Sequence, residues 1–69
     1  MNGYANADTY FAAVAVQNIE SLYIAARRLT NRFALRNLVV NAIEAGMIAN
    51  VEDIEEIDFD EILDTVTEE

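Results

Sequence analysis

The chain has 69 residues, enough for one small domain, and contains neither cysteine nor histidine. These absences exclude disulfides and thiolate or imidazole metal sites, and they remove two common catalytic side chains. The 54% apolar content is too high for a disordered segment, yet the longest apolar run, residues 10–16, is shorter than the roughly 20 residues of a membrane span. With no basic stretch before that run, no signal peptide is expected. We therefore expect a non-enzymatic protein without cofactor or metal, cytoplasmic or in a virion and not secreted.

Charge divides the chain into two segments. Residues 1–51 carry four arginines and three acidic residues, a net charge of 4 − 3 = +1, whereas residues 52–69 carry ten acidic residues and no basic one. We interpret residues 1–51 as a helical body with a short N-terminal arm, and residues 52–69 as an acidic amphipathic segment. Removing that segment is expected to leave the helices folded. Direct nucleic-acid binding is not expected, because the acidic segment would repel phosphates.

The first predicted helix covers about residues 8–30, which contain no glycine or proline. Asn6 or Asp8 is suited to cap its N-terminus by accepting a hydrogen bond from a free backbone N–H. Apolar residues then recur at alternating spacings of three and four, which places them on one stripe of a helix. We interpret the stripe and its aromatic neighbours as a candidate protein interface, for self-association or for packing on a larger assembly. Its residues are Tyr10, Phe11, Ala15, Ile19, Leu22, Ala26, Leu29 and Phe33.

A joint at Thr30–Asn31 is predicted to separate this helix from a second one over about residues 32–45. Beyond Leu29 the apolar positions move to the opposite side of a continuous helix, so a break capped by Asn31 brings both apolar faces into one hairpin core. Gly46 is expected to end the second helix in a left-handed conformation. Every basic residue lies near the joint, where we expect pairing with the chain's own acidic residues rather than an anion site. This basic cluster is Arg27, Arg28, Arg32 and Arg36.

One or two short acidic helices are predicted to follow. Asn50 with Asp53, and Asp58 with Glu61, have the spacing of helix-capping pairs. Three interpretations of the segment stay open: a solubilising end, a docking helix for a basic partner surface, and a divalent-cation site, although the spacing lacks the regularity of an EF-hand loop. The candidate docking residues are Glu52, Asp53, Glu55, Glu56, Asp58, Asp60, Glu61 and Asp64.

Two short stretches resemble known families. LYIAARRL (residues 22–29) and NAIEAGMI (residues 41–48) are similar to two helical segments of the omega subunit of bacterial RNA polymerase, a small helical clamp on the largest subunit. The resemblance implies an accessory subunit and assigns no functional residue. AIEAGMI is also similar to the end of the recognition helix of winged-helix repressors. However, the helix would present Asn37, Asn41 and Glu44 with only Arg36 basic beside them. An acidic segment also follows where the wing strands would be.

The sequence thus predicts an all-α domain, a hairpin of two longer helices followed by one or two short acidic helices. Two functions stay open, each with a protein partner and without a membrane. The first is a self-associating structural or interaction protein, such as a phage or virion component. The second is an acidic modulator or inhibitor that docks its C-terminal segment on a basic surface of a host nucleic-acid-handling enzyme.

Overall fold

A computed structural model describes residues 3–67, which form four α-helices and no β-strand. The helices are α1 (Ala7–Asn18), α2 (Glu20–Arg27), α3 (Arg32–Glu44) and α4 (Phe59–Thr67), and a 3₁₀ helix covers Ile54–Glu56. This confirms the predicted all-α fold. Within the described range, no helix is long and apolar enough to cross a membrane. The first two residues of the predicted N-terminal arm and the last two of the acidic segment lie outside the described residues.

The first predicted helix is divided in two at Ile19. This residue has an extended backbone, with φ −91° and ψ 110°, although its N–H still donates to the carbonyl of Ala15. The side chain of Asn18 donates to the carbonyl of Val14 at 2.8 Å, a local bond that competes with the regular helix ladder. The prediction of a single helix over residues 8–30 is therefore wrong. The sequence does not indicate the bend, because neither glycine nor proline lies near it.

The joint between α2 and α3 lies where the sequence predicts it. Helix α2 ends at Arg27 and α3 begins at Arg32, with Thr30 and Asn31 outside both. Asn31 caps α3, since its Oδ1 accepts a hydrogen bond from the N–H of Ala34 at 2.9 Å. That bond satisfies one of the free N–H groups at the start of the helix, which is the role expected of an N-cap asparagine.

Gly46 ends α3 as predicted, with a positive φ of 80°. The N–H of Gly46 donates to the carbonyl of Ile43 at 3.0 Å, and the N–H of Met47 donates to the carbonyl of Ala42 at 2.9 Å. These two bonds form a Schellman motif, in which the left-handed residue lets the chain turn back over the last helical turn. Residues after Gly46 are thereby directed back toward the core.

The turn into the acidic segment differs from the prediction. Asn50 does not start a helix but has a left-handed φ of 71°, a conformation that asparagine tolerates better than most residues. The 3₁₀ helix begins after Asp53, whose side chain accepts from the N–H of Glu55 at 3.0 Å. The second predicted capping pair is confirmed, because Asp58 Oδ1 accepts from the N–H of Glu61 at 3.1 Å before α4.

Within residues 3–67, one hydrophobic core joins the body and the acidic segment. Its members are Ala12, Ala13, Val16, Leu22, Ala26, Leu35, Val39, Ala42, Ile48, Ile57, Phe59, Ile62 and Val66. The last four belong to the acidic segment, and both Ile62 and Val66 are 0% exposed. The change of charge at residue 52 is therefore not a boundary in the packing.

Candidate interaction surface

The acidic residues of the C-terminal segment lie on the surface above its buried apolar residues. In α4 the buried residues Phe59, Ile62 and Val66 follow at spacings of three and four. The helix therefore presents Asp60 and Asp64 to solvent. Of the eight acidic residues in the described part of the segment, seven are exposed and Glu61 is half-buried. We call them the acidic surface: Glu52, Asp53, Glu55, Glu56, Asp58, Asp60, Glu61 and Asp64.

The start of α1 holds the acidic segment through hydrogen bonds to its backbone. The carboxylate of Asp8 accepts from the N–H of Glu52 at 3.0 Å and from the N–H of Asp53 at 3.2 Å. The side-chain amide of Asn6 donates to the carbonyl of Glu56 at 2.7 Å. A negative side chain is thus placed against an acidic segment, where it binds backbone donors rather than a cation.

Thr9 is buried and continues the same contact. Its Oγ1 accepts from the N–H of Asp58 at 2.9 Å and donates to the carbonyl of Glu56 at 3.5 Å. A buried hydroxyl needs such partners, because an unpaired one costs about 1–3 kcal/mol. Nearby, the N–H of Ala5 donates to the carboxylate of Glu61 at 2.9 Å. Together these bonds place the acidic surface in a fixed position relative to α1.

Sequence reasoning missed this contact. It identified Asn6 and Asp8 only as alternative caps, and Asn6 is the one confirmed, accepting from the N–H of Thr9 at 2.8 Å. Once Asn6 occupies that role, Asp8 is free to bind elsewhere. The sequence carries only a weak signal for this contact. Asp8 and Thr9 are polar residues next to an apolar stripe, and nothing in their spacing identifies residues 52–58 as their partners.

Two members of the basic cluster pair with the acidic surface. Arg32 Nη1 lies 2.9 Å from Asp60 Oδ2, and Arg36 Nη2 lies 3.1 Å from Glu55 Oε1. The two arginines are one turn apart on α3, so they connect it to α4 and to the 3₁₀ helix. The expected pairing is confirmed for these two residues. Their side chains remain 56% and 43% exposed, so each pair contributes at most about 1 kcal/mol.

The other two arginines lie on the opposite side of the joint. Arg27 stacks on the ring of Tyr23, with its Cζ 5.6 Å from the ring centroid, and its Nη1 donates to the tyrosine hydroxyl at 3.4 Å. Arg28 is exposed at the end of α2. Because the joint interrupts the helix, these arginines do not continue the row formed by Arg32 and Arg36.

The predicted apolar stripe is partly covered by the chain itself. Leu22 and Ala26 are 4% and 0% exposed, so they belong to the core and cannot contact a partner without unfolding. Phe33 is 66% exposed, because the joint takes it out of line with the stripe and places it in the first turn of α3. The other members are partly buried, namely Tyr10, Phe11, Ala15, Ile19 and Leu29.

Residues 3–67 form no pocket, and their His, Cys, Asp and Glu side chains form no group of three or more that could hold a metal ion. The candidate site in this range is therefore an open surface rather than a cavity.

No family model matches the sequence, and no curated protein or solved structure matches it. The stretches that resemble the omega subunit have structural roles in this chain. Leu22, Ala26, Ala42 and Ile48 lie in the core, and Gly46 forms the turn that ends α3.

Proposed function

We propose that the protein is a non-enzymatic binding protein whose acidic surface docks on a positively charged surface of a partner protein. The observation that supports it best is the separation of roles within one segment: seven of its eight described acidic residues are exposed, while Ile57, Phe59, Ile62 and Val66 are buried. Folding therefore holds the carboxylates in place before a partner arrives. A pre-ordered array loses less conformational entropy on binding than a flexible acidic tail.

The charge of this surface is far from balanced within the chain. Two of its eight carboxylates are ion-paired with arginine in the described part of the chain, which leaves 8 − 2 = 6 without such a pair. Concentrated charge of one sign speeds association with an oppositely charged surface and makes binding sensitive to salt. Proteins that bind nucleic acids present basic surfaces of this kind. We therefore propose a nucleic-acid-handling enzyme as the partner and occupation of its basic surface as the mechanism.

Neutralising the acidic surface without unfolding the protein tests the proposal. Glu52, Glu56 and Asp64 suit this purpose, because they are exposed and make no ion pair in the described part of the chain. We expect affinity capture with the wild type to retain a basic, nucleic-acid-binding partner that salt or duplex DNA elutes. The variant Glu52→Gln, Glu56→Gln, Asp64→Asn should lose it.

The matched control changes exposed acidic residues elsewhere. Glu20 and Glu44 lie on α2 and α3, outside the acidic surface. The variant Glu20→Gln, Glu44→Gln should still capture the partner. Equal capture by all three proteins would refute the role of the acidic surface.

Self-association is a second candidate, favoured by an aromatic cluster near the N-terminus. The ring centroids of Tyr4 and Tyr10 are 6.0 Å apart and those of Tyr10 and Phe11 are 5.5 Å apart, each pair edge to face. All three side chains are only partly buried, and aromatic residues are enriched in protein interfaces. Sedimentation should then show an oligomer that Phe11→Ser dissociates. A wild-type monomer at all concentrations would exclude this candidate.

A further inference from the structure

We infer that Phe33 is the apolar anchor beside the acidic surface, and that the partner segment it binds is a basic amphipathic α-helix. This inference rests on the proposed function and adds to it the contact that survives when charges are screened. Three large apolar side chains are exposed among residues 3–67: Phe33 at 66%, Ile24 at 45% and Met47 at 42%. Phe33 is the most exposed of them, and it is also the aromatic one.

Phe33 lies at the edge of the acidic surface. The guanidinium Cζ of Arg32 is 5.2 Å from the centroid of the Phe33 ring, and the Nη1 of the same side chain is 2.9 Å from Asp60 Oδ2. One arginine therefore contacts both the ring and a carboxylate of the surface. In an interface hot spot, the groups around the central side chain exclude water once the partner is bound, and Arg32 and Asp60 are placed to do this for Phe33.

The backbone presents Phe33 in a defined position. It belongs to the first turn of α3, which the Asn31 side chain caps, and Arg36 one turn later is paired with Glu55. Together with the pair between Arg32 and Asp60, this places an ion pair to the acidic segment on each side of the phenylalanine. Because this position is ordered before binding, a partner does not have to order it, which favours affinity.

The shape of the surface indicates what the partner must supply. Residues 3–67 form no pocket, so on this side the apolar contact is a protruding ring rather than a cavity. An α-helix supplies a matching cavity on its own surface, because four neighbouring side chains form a hole that accepts one knob. Lysine or arginine residues flanking that hole would then face the carboxylates. Charge complementarity therefore selects a basic amphipathic helix over an acidic or neutral one.

Two synthetic peptides of equal length and equal positive charge test the inference. One is a helix-forming lysine and leucine peptide, and in the other serine replaces every leucine. Fluorescence anisotropy measures their binding to the wild type, Phe33→Ala, Phe33→Leu and Met47→Ala. Met47 is the matched control, because it is also apolar and exposed but lies beyond the other end of α3. Thermal melts check that each variant is folded.

At low salt all four proteins should bind both peptides, because this binding depends on charge. At about 1 M salt charges are screened beyond about 3 Å, and we expect the wild type to retain the leucine peptide only. Phe33→Ala should then bind it at least roughly thirtyfold more weakly, in line with the loss of a hot-spot side chain. Phe33→Leu should retain most of the affinity, and Met47→Ala should match the wild type.

The failures of the two proposals are distinguishable. If no protein binds either peptide at low salt, the acidic surface does not dock on basic partners and both proposals are overturned. If the peptides bind at low salt but the wild type does not prefer the leucine peptide at high salt, the inference alone is overturned. Equal losses in Phe33→Ala and Met47→Ala would also overturn it.

Discussion

The helical body and the acidic segment fill the same core with different kinds of side chain. Four of the nine core residues before position 52 are alanine, at positions 12, 13, 26 and 42. The four from the acidic segment are larger: Ile57, Phe59, Ile62 and Val66. Small side chains let helices approach closely but bury little apolar area each. The segment that resembles an appendage by its charge therefore completes the core.

The comparison also shows how a strongly acidic segment can fold. Its carboxylates repel one another, but they are exposed to water and salt, where such repulsion is weak. Each large apolar side chain that becomes fully buried contributes about 1.5–3 kcal/mol. Burial of four of them therefore opposes the repulsion. The hydrogen bonds that Asp8 and Thr9 make with the backbone of the segment then determine its position.

The test with the largest expected effect is removal of residues 52–69. Because the core loses four of its thirteen members, we expect residues 1–51 to unfold, contrary to the sequence-based expectation that the helices would remain. Circular dichroism should show little helix and no cooperative melt. Full-length protein with Glu52→Gln, Glu56→Gln and Asp64→Asn is the control, and it should stay folded. A cooperative melt of the truncated chain would show that the body folds alone.

A matched pair of isoleucine substitutions measures the same difference at single residues. Ile62 is 0% exposed in α4, whereas Ile24 is 45% exposed in α2. We expect Ile62→Ala to lower the free energy of unfolding by about 3 kcal/mol, because it removes buried methyl groups and leaves a cavity. Ile24→Ala should change it by less than about 0.5 kcal/mol. Urea denaturation compares them, and equal effects would contradict the assigned core.

Asp8→Ala tests how the acidic segment is attached to α1. It removes the acceptor of the N–H groups of Glu52 and Asp53, which should lower stability by about 1–2 kcal/mol. Relief of repulsion with the acidic surface offsets part of this loss. Hydrogen exchange should show faster exchange of these two amides in particular. Glu20→Gln removes one acidic charge without touching the segment and should leave them protected. Unchanged exchange in Asp8→Ala would mean that other contacts protect these two amides.

Local features of the fold were predictable because their causes are adjacent in sequence. Asn31 caps α3 by accepting a hydrogen bond from the N–H three positions on, and Gly46 supplies a left-handed turn directly after α3. The bend at Ile19 was not predictable, since an isoleucine carries no signal for a break. Nor were the bonds of Asp8, whose partners are 44 and 45 residues away. Seven of the eight candidate acidic residues are exposed, but the attachment of the segment to the core depends on such distant contacts.

Substitution of Asn31 tests the locally determined part of the fold. Its side chain accepts from the N–H of Ala34, so Asn31→Ala should lower stability by about 1 kcal/mol through loss of the cap. Asn31→Gly should cost only a few tenths of a kcal/mol, since glycine is a tolerated N-cap. Thermal melts of the two variants show which of them is more stable. On a continuous helix alanine would be the better residue, so a more stable alanine variant would contradict the joint.

The smallest effect is expected for the ion pair between Arg32 and Asp60. A double-mutant cycle with Arg32→Ala and Asp60→Ala should give a coupling energy below about 1 kcal/mol that falls as salt is raised, because both side chains are more than half exposed, 56% and 59%. A weak pair is what the proposed function requires. If the chain's own arginine held Asp60 strongly, a basic partner would have to break that bond before gaining another. A coupling energy well above 1 kcal/mol would show that this carboxylate serves the fold, and it would confine docking to the remaining residues of the acidic surface.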